Sequence, residues 1–429
     1  MRTRVFSLAL VSLLSCSSDP EGTVQLTVGE EADALTRTPA PTTLVVQRVA
    51  QDGSAQELAR SALPATTLDL GHRDPGEVSA LSTRALDASG AMLLRGETLF
   101  LQFGALDGVS LPAFIQRTGE LARMPGALPS NAATKAIMVL GRYVLLASGT
   151  TSQLYDLLAL VPVSTSPTLP RNARSITAVG SAVLAIDENG GSTIDLTTNA
   201  TTEIPAPANG TYAEIAGGDR YGASDTSQYI VGATRREGDP TARLLYIDAT
   251  NAASFQSLTA PRLGACATYV NGRGLFVYGG SATAAGAEIL APGSSVATPL
   301  PLAPDPVVGC DATTLDATHV LVVGGTGADT GSLPARVIDL TCTTNCAPVA
   351  WPDPVPLLAA QVLPIGTDAV FVLGTDAAGA SHAYRTSANA GTREIPLRNP
   401  RQGARLVYSP TGAFLVLGGN AGGIEQYLE

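Results

Sequence analysis

The sequence predicts an all-β chain, a ring of four-stranded units behind a smaller β-sandwich, and two observations carry that prediction. Short apolar, β-rich runs ending in small residues recur along the last three hundred or so residues, and no helix-length segment with a 3.6-residue period interrupts them. The chain also holds 44 Gly and 29 Pro, the composition of many short strands joined by turns. At 429 residues, with 45% hydrophobic and 15% charged residues, it is long enough for two or three cores and too apolar to be disordered.

The recurring run opens at Tyr143 (YVLLASG), Ala182 (AVLAID), Gln228 (QYIVGA), Gly274 (GLFVYGG), His319 (HVLVVGG), Ala369 (AVFVLG) and Ala413 (AFLVLGG). Starts lie roughly 40 to 50 residues apart, the period of propeller blades. A second run follows each, often with an aspartate: QLYDLL, STIDL, LLYIDAT, AEILAPG, ARVIDL, SHAYRT and IEQYLE. Proline-marked stretches such as Thr168-Leu169-Pro170 come next, and a further apolar run, such as ARSITAVG from Ala173, opens each unit. Each unit therefore reads as four strands. Arranged around an axis, such sheets bury both faces against their neighbours, and only closure protects the last edge.

These residues resemble the Kelch family of β-propellers. Gly279-Gly280, Gly324-Gly325 and Gly418-Gly419 match its double glycine, and Tyr155-Asp156, Ile194-Asp195, Ile247-Asp248 and Ile338-Asp339 match its apolar or aromatic residue plus aspartate. The resemblance implies a degenerate propeller over residues 109–429. Its tryptophan survives at most once, as Trp351, and glycines are missing at Gly149-Thr150, Gly232-Ala233 and Gly374-Thr375. Seven central strands are legible, and six or eight blades stay open. The last unit stops at Glu429 after its third strand, so the segment from Pro112 to Gly126 is expected to donate the missing outer strand. The family's aspartates accept backbone hydrogen bonds at turns, which is the role expected of Asp195, Asp248 and Asp339.

Between residues 23 and 108 the text alternates without the propeller pattern, with turns at Asp52-Gly53 and Ser89-Gly90. A small antiparallel β-sandwich is expected there, loosely similar to fibronectin-III-like or carboxypeptidase-regulatory-like modules. An extra blade is the alternative.

The chain opens MRTRVFSLALVSLLSC: Arg2 and Arg4, an apolar run too short to span a bilayer, then Ser15 and Cys16. This resembles a bacterial lipoprotein signal. The resemblance implies that residues 1–15 are removed, that Cys16 carries lipid, and that residues 16–22 are a tether. Ser17 and Ser18 after the cysteine suggest the outer membrane of a bacterial cell envelope. Several acyl chains, each CH₂ contributing about 0.8 kcal/mol, hold a protein at a membrane surface.

Five cysteines leave four once Cys16 is lipidated, an even number in an exported chain. Cys342 and Cys346 close a small loop. Cys266 and Cys310 sit at matching places in successive repeats, where a bridge is plausible. A metal site is the alternative, and His72, His319 and His382 lie far from the cysteines in sequence. No metal, cofactor or catalytic motif is expected: the chain has no G-x-S-x-G, H-E-x-x-H or P-loop. A formal charge of −11, nearer −13 without Arg2 and Arg4, argues against nucleic acid as partner.

The longest charged insertion, ATRREGDPTAR, places Arg235, Arg236 and Arg243 where they could hold a carboxylate or sugar acid bidentately, or simply form a solvated hairpin tip. The expected function is a lipid-anchored scaffold that binds a protein or glycan of the envelope. The alternative is a polysaccharide-active hydrolase or lyase with carboxylates at the propeller mouth.

Overall fold

The computed structural model describes residues 22–429 apart from 30, 32, 72, 73, 75, 107, 127, 129–134, 225, 226, 328–331, 353, 354 and 356. The signal segment, Cys16 and His72 lie outside the described residues.

Alternation decides the architecture. In Ala182–Asp187, Val183 packs with Ile137, Leu145 and Leu154 on one side, whereas Leu184 and Ile186 pack with Ile230 and Leu245 on the other. Val320 and Val322 likewise join one core, and Leu321 and Val323 the next. A strand buried on both faces must be apolar throughout, which is why these runs read as unbroken Val, Leu and Ile. Each fully buried Leu or Val contributes about 1.5–3 kcal/mol.

The result is a β-propeller. Among the described residues seven four-stranded sheets follow one another, each an antiparallel meander. The first six comprise Lys135–Pro162, Ser175–Ile204, Asp219–Arg262, Cys266–Pro299, Val308–Ala350 and Ala359–Glu394. The seventh takes three strands from Arg405–Tyr408, Phe414–Leu417 and Ile424–Tyr427 and its outer strand from Leu121–Arg123. That strand pairs antiparallel with the last one, Leu121 opposite Tyr427 and Arg123 opposite Glu425. The two ends of the ring are thus joined by hydrogen bonds, and the first and last inner strands pack side by side.

The double glycines have a steric cause. Gly279 and Gly280 have φ of +78° and +70°. A Cβ at Gly279 would lie 2.4 Å from Val307 Cγ1, and one at Gly280 would lie 2.9 Å from the Leu263 carbonyl. The positive φ of both, the next blade's approach to Gly279 and the approach of the same blade's leading segment to Gly280 demand glycine.

A second repeat signal went unread in the sequence. Pro261-Arg262 and Pro400-Arg401 precede inner strands, and each arginine is wholly buried against a wholly buried glutamate, Glu288 at 2.8 Å and Glu425 at 3.0 Å. Each guanidinium also donates to the carbonyl of the first glycine of a pair, Gly279 at 2.6 Å and Gly418 at 3.2 Å. Pro170-Arg171 keeps the arginine in the second sheet. There Ser192 holds the glutamate's register position and accepts from Arg171 Nε at 2.5 Å.

The amino-terminal strands form two sheets around their own core of Val24, Leu44, Leu81, Leu94 and Ile115. Two features differ from the expectation. Thr23–Thr27 runs parallel to Ser110–Phe114, so the sandwich is mixed rather than wholly antiparallel. Its strands also run past residue 108: Ser110–Phe114 and Gln116–Arg117 both pair with earlier strands. Only the next few residues turn to the ring. Glu120 lies between Arg37 of the sandwich region and Arg398 of the seventh blade, 2.8 Å from each.

Candidate functional site

Inner strands begin at one face of the ring, and antiparallel alternation brings each connection between the second and third strands to the same face. Lys135, Arg220 and Arg405 stand at or beside the first position of their inner strands, Arg174 immediately precedes another, and Arg235 and Arg236 follow the second strand of the third sheet. Repeat geometry therefore gathers six basic side chains around one mouth of the central channel, a cavity of about 800 Å³. Three acidic residues, Asp219, Glu237 and Asp311, line it with them. This basic excess sits in a chain whose formal charge is −11.

The charges are unequally committed. Lys135 Nζ donates to Asp219 Oδ1 at 2.9 Å. Burial pushes the Asp219 carboxyl up, but Lys135, Arg405 and Arg236 outweigh it and hold it below the ordinary carboxylate range. Asp311 behaves oppositely. Burial pushes it up to about 7, against the backbone N–H groups of Val362 and Ala312, each donating at 2.8 Å. It thereby ties the inner strand of the fifth sheet to that of the sixth. Arg220 and Arg405 are pushed below the usual guanidinium range, in both cases by desolvation.

Among the described residues, the side chains of Arg220 and Arg236 make no hydrogen bond or ion pair within the protein. Nε of Arg405 and of Arg235 is buried and has no acceptor. Arg235 spends its terminal nitrogens on the carbonyls of Ala213 and Asp239. Arg174 pairs with Glu188 at 3.4 Å. A guanidinium without a counter-ion is free to take an anionic ligand, and its fork fits carboxylates and phosphates in two-point contacts.

Of the insertion's three arginines, Arg235 and Arg236 reach this mouth. Arg243 does not: it lies on the third strand, 3.3 Å from Glu214 Oε2, and donates to Ser257. The loop is therefore split between the channel and the outside of the sheet. The channel cations Lys135, Arg174, Arg220 and Arg405 were missed because they are scattered through the sequence. Their common signal is a basic residue at or beside the head of the run that opens four of the seven blades: KAIMV, RSITAV, DRYG, RLVY.

Other candidates do not converge there. His319 Nδ1 sits 3.0 Å from Asp316 on a turn, and His382 lies between Glu394 and Asp376, which raise its pKa. Asp195, Asp248 and Asp339 each accept backbone N–H groups two residues on, at 2.9, 2.8 and 2.7 Å. Cys266 is bonded to Cys310, linking the inner strands of the fourth and fifth sheets, and Cys342 to Cys346. No group of three His, Cys, Asp or Glu residues is placed to hold a metal ion among the described residues. The buried Trp351 donates from Nε1 to Thr386 at 2.9 Å.

Fold and site define a β-propeller with a cation-lined central channel. The chain is similar to many solved structures, among them two domains. The WD40 domain of Neurospora crassa Pan2 shares 12% identity at a TM-score of 0.47, and the amino-terminal domain of Nup159 shares 11% at 0.42. Each match covers 72% of this chain and 96% of the other. No family model matches, and no curated protein does.

Proposed function

We propose that this chain is a lipid-anchored binding scaffold of a bacterial cell envelope, a Kelch-like propeller that takes a protein or glycan partner at the basic mouth of its channel. Cys16 would hold the lipid, and the sandwich would space the ring from the membrane. The observation that carries the reading is the pair Arg220 and Arg236, whose side chains make no hydrogen bond or ion pair and face a channel of about 800 Å³. A rigid ring with exposed loops at its mouth is a natural recognition surface. The double glycines and the buried Arg262–Glu288 and Arg401–Glu425 pairs support the repeat resemblance. The test is affinity purification of the lipidated protein from cross-linked envelopes, wild type against an Arg220→Gln/Arg236→Gln variant. A recurrent partner captured by the wild type and lost in the variant supports the reading, and equal capture opposes it.

A second reading has one observation in its favour. Asp219 and Asp311 share the channel with their pKa values pushed in opposite directions, the pattern of a base and an acid. The polysaccharide-active reading requires Asp311 as a proton donor. Its two carboxylate oxygens are engaged by backbone N–H groups, which favours the strand-tying role. Turnover of an envelope polysaccharide that disappears in Asp311→Asn would revive it.

A further inference from the structure

The class of ligand is constrained by what the mouth offers besides charge. We infer that the channel mouth binds a carboxylate-bearing oligosaccharide, an inference that rests on the binding-scaffold reading above. The argument runs on complementarity. Arg220, Arg236 and Arg405 supply guanidinium donors that the protein leaves without acceptors, and these call for anionic oxygens in the ligand. Beside them stand Glu237 and Asp219, which accept hydrogen bonds and donate none when ionised. A ligand of anionic oxygens alone, such as phosphate, gains from the arginines and is repelled by the acids. A neutral sugar satisfies the acids through its hydroxyls and leaves the cations without an anionic partner. A sugar acid carries both functions on one ring: its carboxylate answers the guanidiniums and its hydroxyls donate to Glu237 and Asp219.

Size agrees with charge. The cavity of about 800 Å³ lies within the range of sites that enclose whole ligands, and it opens at the face where the cations cluster. It takes a chain end or short oligomer, not a folded protein surface. Composition agrees too: five of the six basic residues are arginines, whose planar forks orient carboxylates better than ammonium groups do.

The test uses the mature chain and hexagalacturonate as probe, with a neutral hexagalactan, inorganic phosphate and hexaglutamate as comparisons, read by titration calorimetry at low and high salt. The expected result is binding of hexagalacturonate that weakens at high salt, at least about tenfold tighter than any comparison. In Arg220→Gln/Arg236→Gln the affinity falls at least about tenfold, with the melting temperature unchanged. Equal binding of the neutral oligosaccharide, or of hexaglutamate or phosphate, overturns the inference, as does undiminished binding by the variant. Loss of envelope capture in the variant without any uronate binding would sink this inference and leave the scaffold reading standing. Envelope capture indifferent to the variant would sink both.

Discussion

Lys135 and Asp219 meet across the mouth of the channel, Nζ 2.9 Å from Oδ1, although one heads the first sheet and the other the third. The contact skips the second sheet altogether. Its consequence is electrostatic: the acid that could have neutralised Arg220 and Arg236 is engaged by the only lysine in the chain. Charges a few ångströms apart in a partly dehydrated channel interact by roughly a few kcal/mol before solvent screening. Replacing Lys135 by Met frees Asp219 to pair with the arginines and should therefore lower the affinity for hexagalacturonate about threefold to tenfold at low salt and by less at high salt. Calorimetric titration at two ionic strengths checks both the sign and the salt dependence.

Asp311 links stability to pH. Its folded pKa is about 7, against roughly 3.9 in an unfolded chain, so between those values the folded state holds a proton that the unfolded state has lost. The contribution is full below about pH 4 and disappears as pH rises through about 7. Urea midpoints of the wild type should thus fall more steeply between about pH 4 and 7 than those of Asp311→Asn. Parallel curves would contradict the burial of this carboxyl.

The two disulfides should differ in worth. Cys266–Cys310 closes a loop of 44 residues and Cys342–Cys346 one of 4. Loop-closure entropy gives about 4 kcal/mol for the first and about 2 kcal/mol for the second, as upper values. Paired Ser substitutions, followed by thermal unfolding, should lower the melting temperature more for the Cys266/Cys310 pair.

The Arg262–Glu288 pair should tolerate joint replacement better than single replacement. Both side chains are completely buried, so Glu288→Gln leaves a buried guanidinium without its counter-ion and should cost about 3–5 kcal/mol. Arg262→Met with Glu288→Leu removes both charges and should cost less than the single change. A denaturant series on the three variants measures the ordering. The carbonyls of Gly279 and Ala285, which Arg262 also satisfies, set a floor on the double variant's cost.

The repeat was legible because steric demand writes itself locally. Gly279 and Gly324, the first glycines of two pairs, mark where one blade abuts the next, and apolar runs such as HVLVV mark strands buried on both faces. The missing outer strand of the last unit pointed to the segment before the ring, and Leu121–Arg123 fills it. The parallel pairing of Thr23–Thr27 with Ser110–Phe114 was not legible, since strand direction between distant segments is set by tertiary packing and not by alternation. The site was half legible. Arg235, Arg236 and Arg243 stand out because they share one charged insertion, although Arg243 points elsewhere. Arg220 and Arg405 are brought to them only by ring closure.

The central claim is that the partner sits at the basic mouth, and site-specific photo-crosslinking tests it most directly. A p-benzoylphenylalanine placed at Asn172, an exposed position lining that mouth, is compared with one at Val349, 65% exposed on the outer strand of the fifth sheet. The account predicts that envelope material crosslinks through position 172 and not through position 349, and that Arg220→Gln/Arg236→Gln abolishes the product. Crosslinks through position 349 with none at 172 would place recognition on the rim and contradict it.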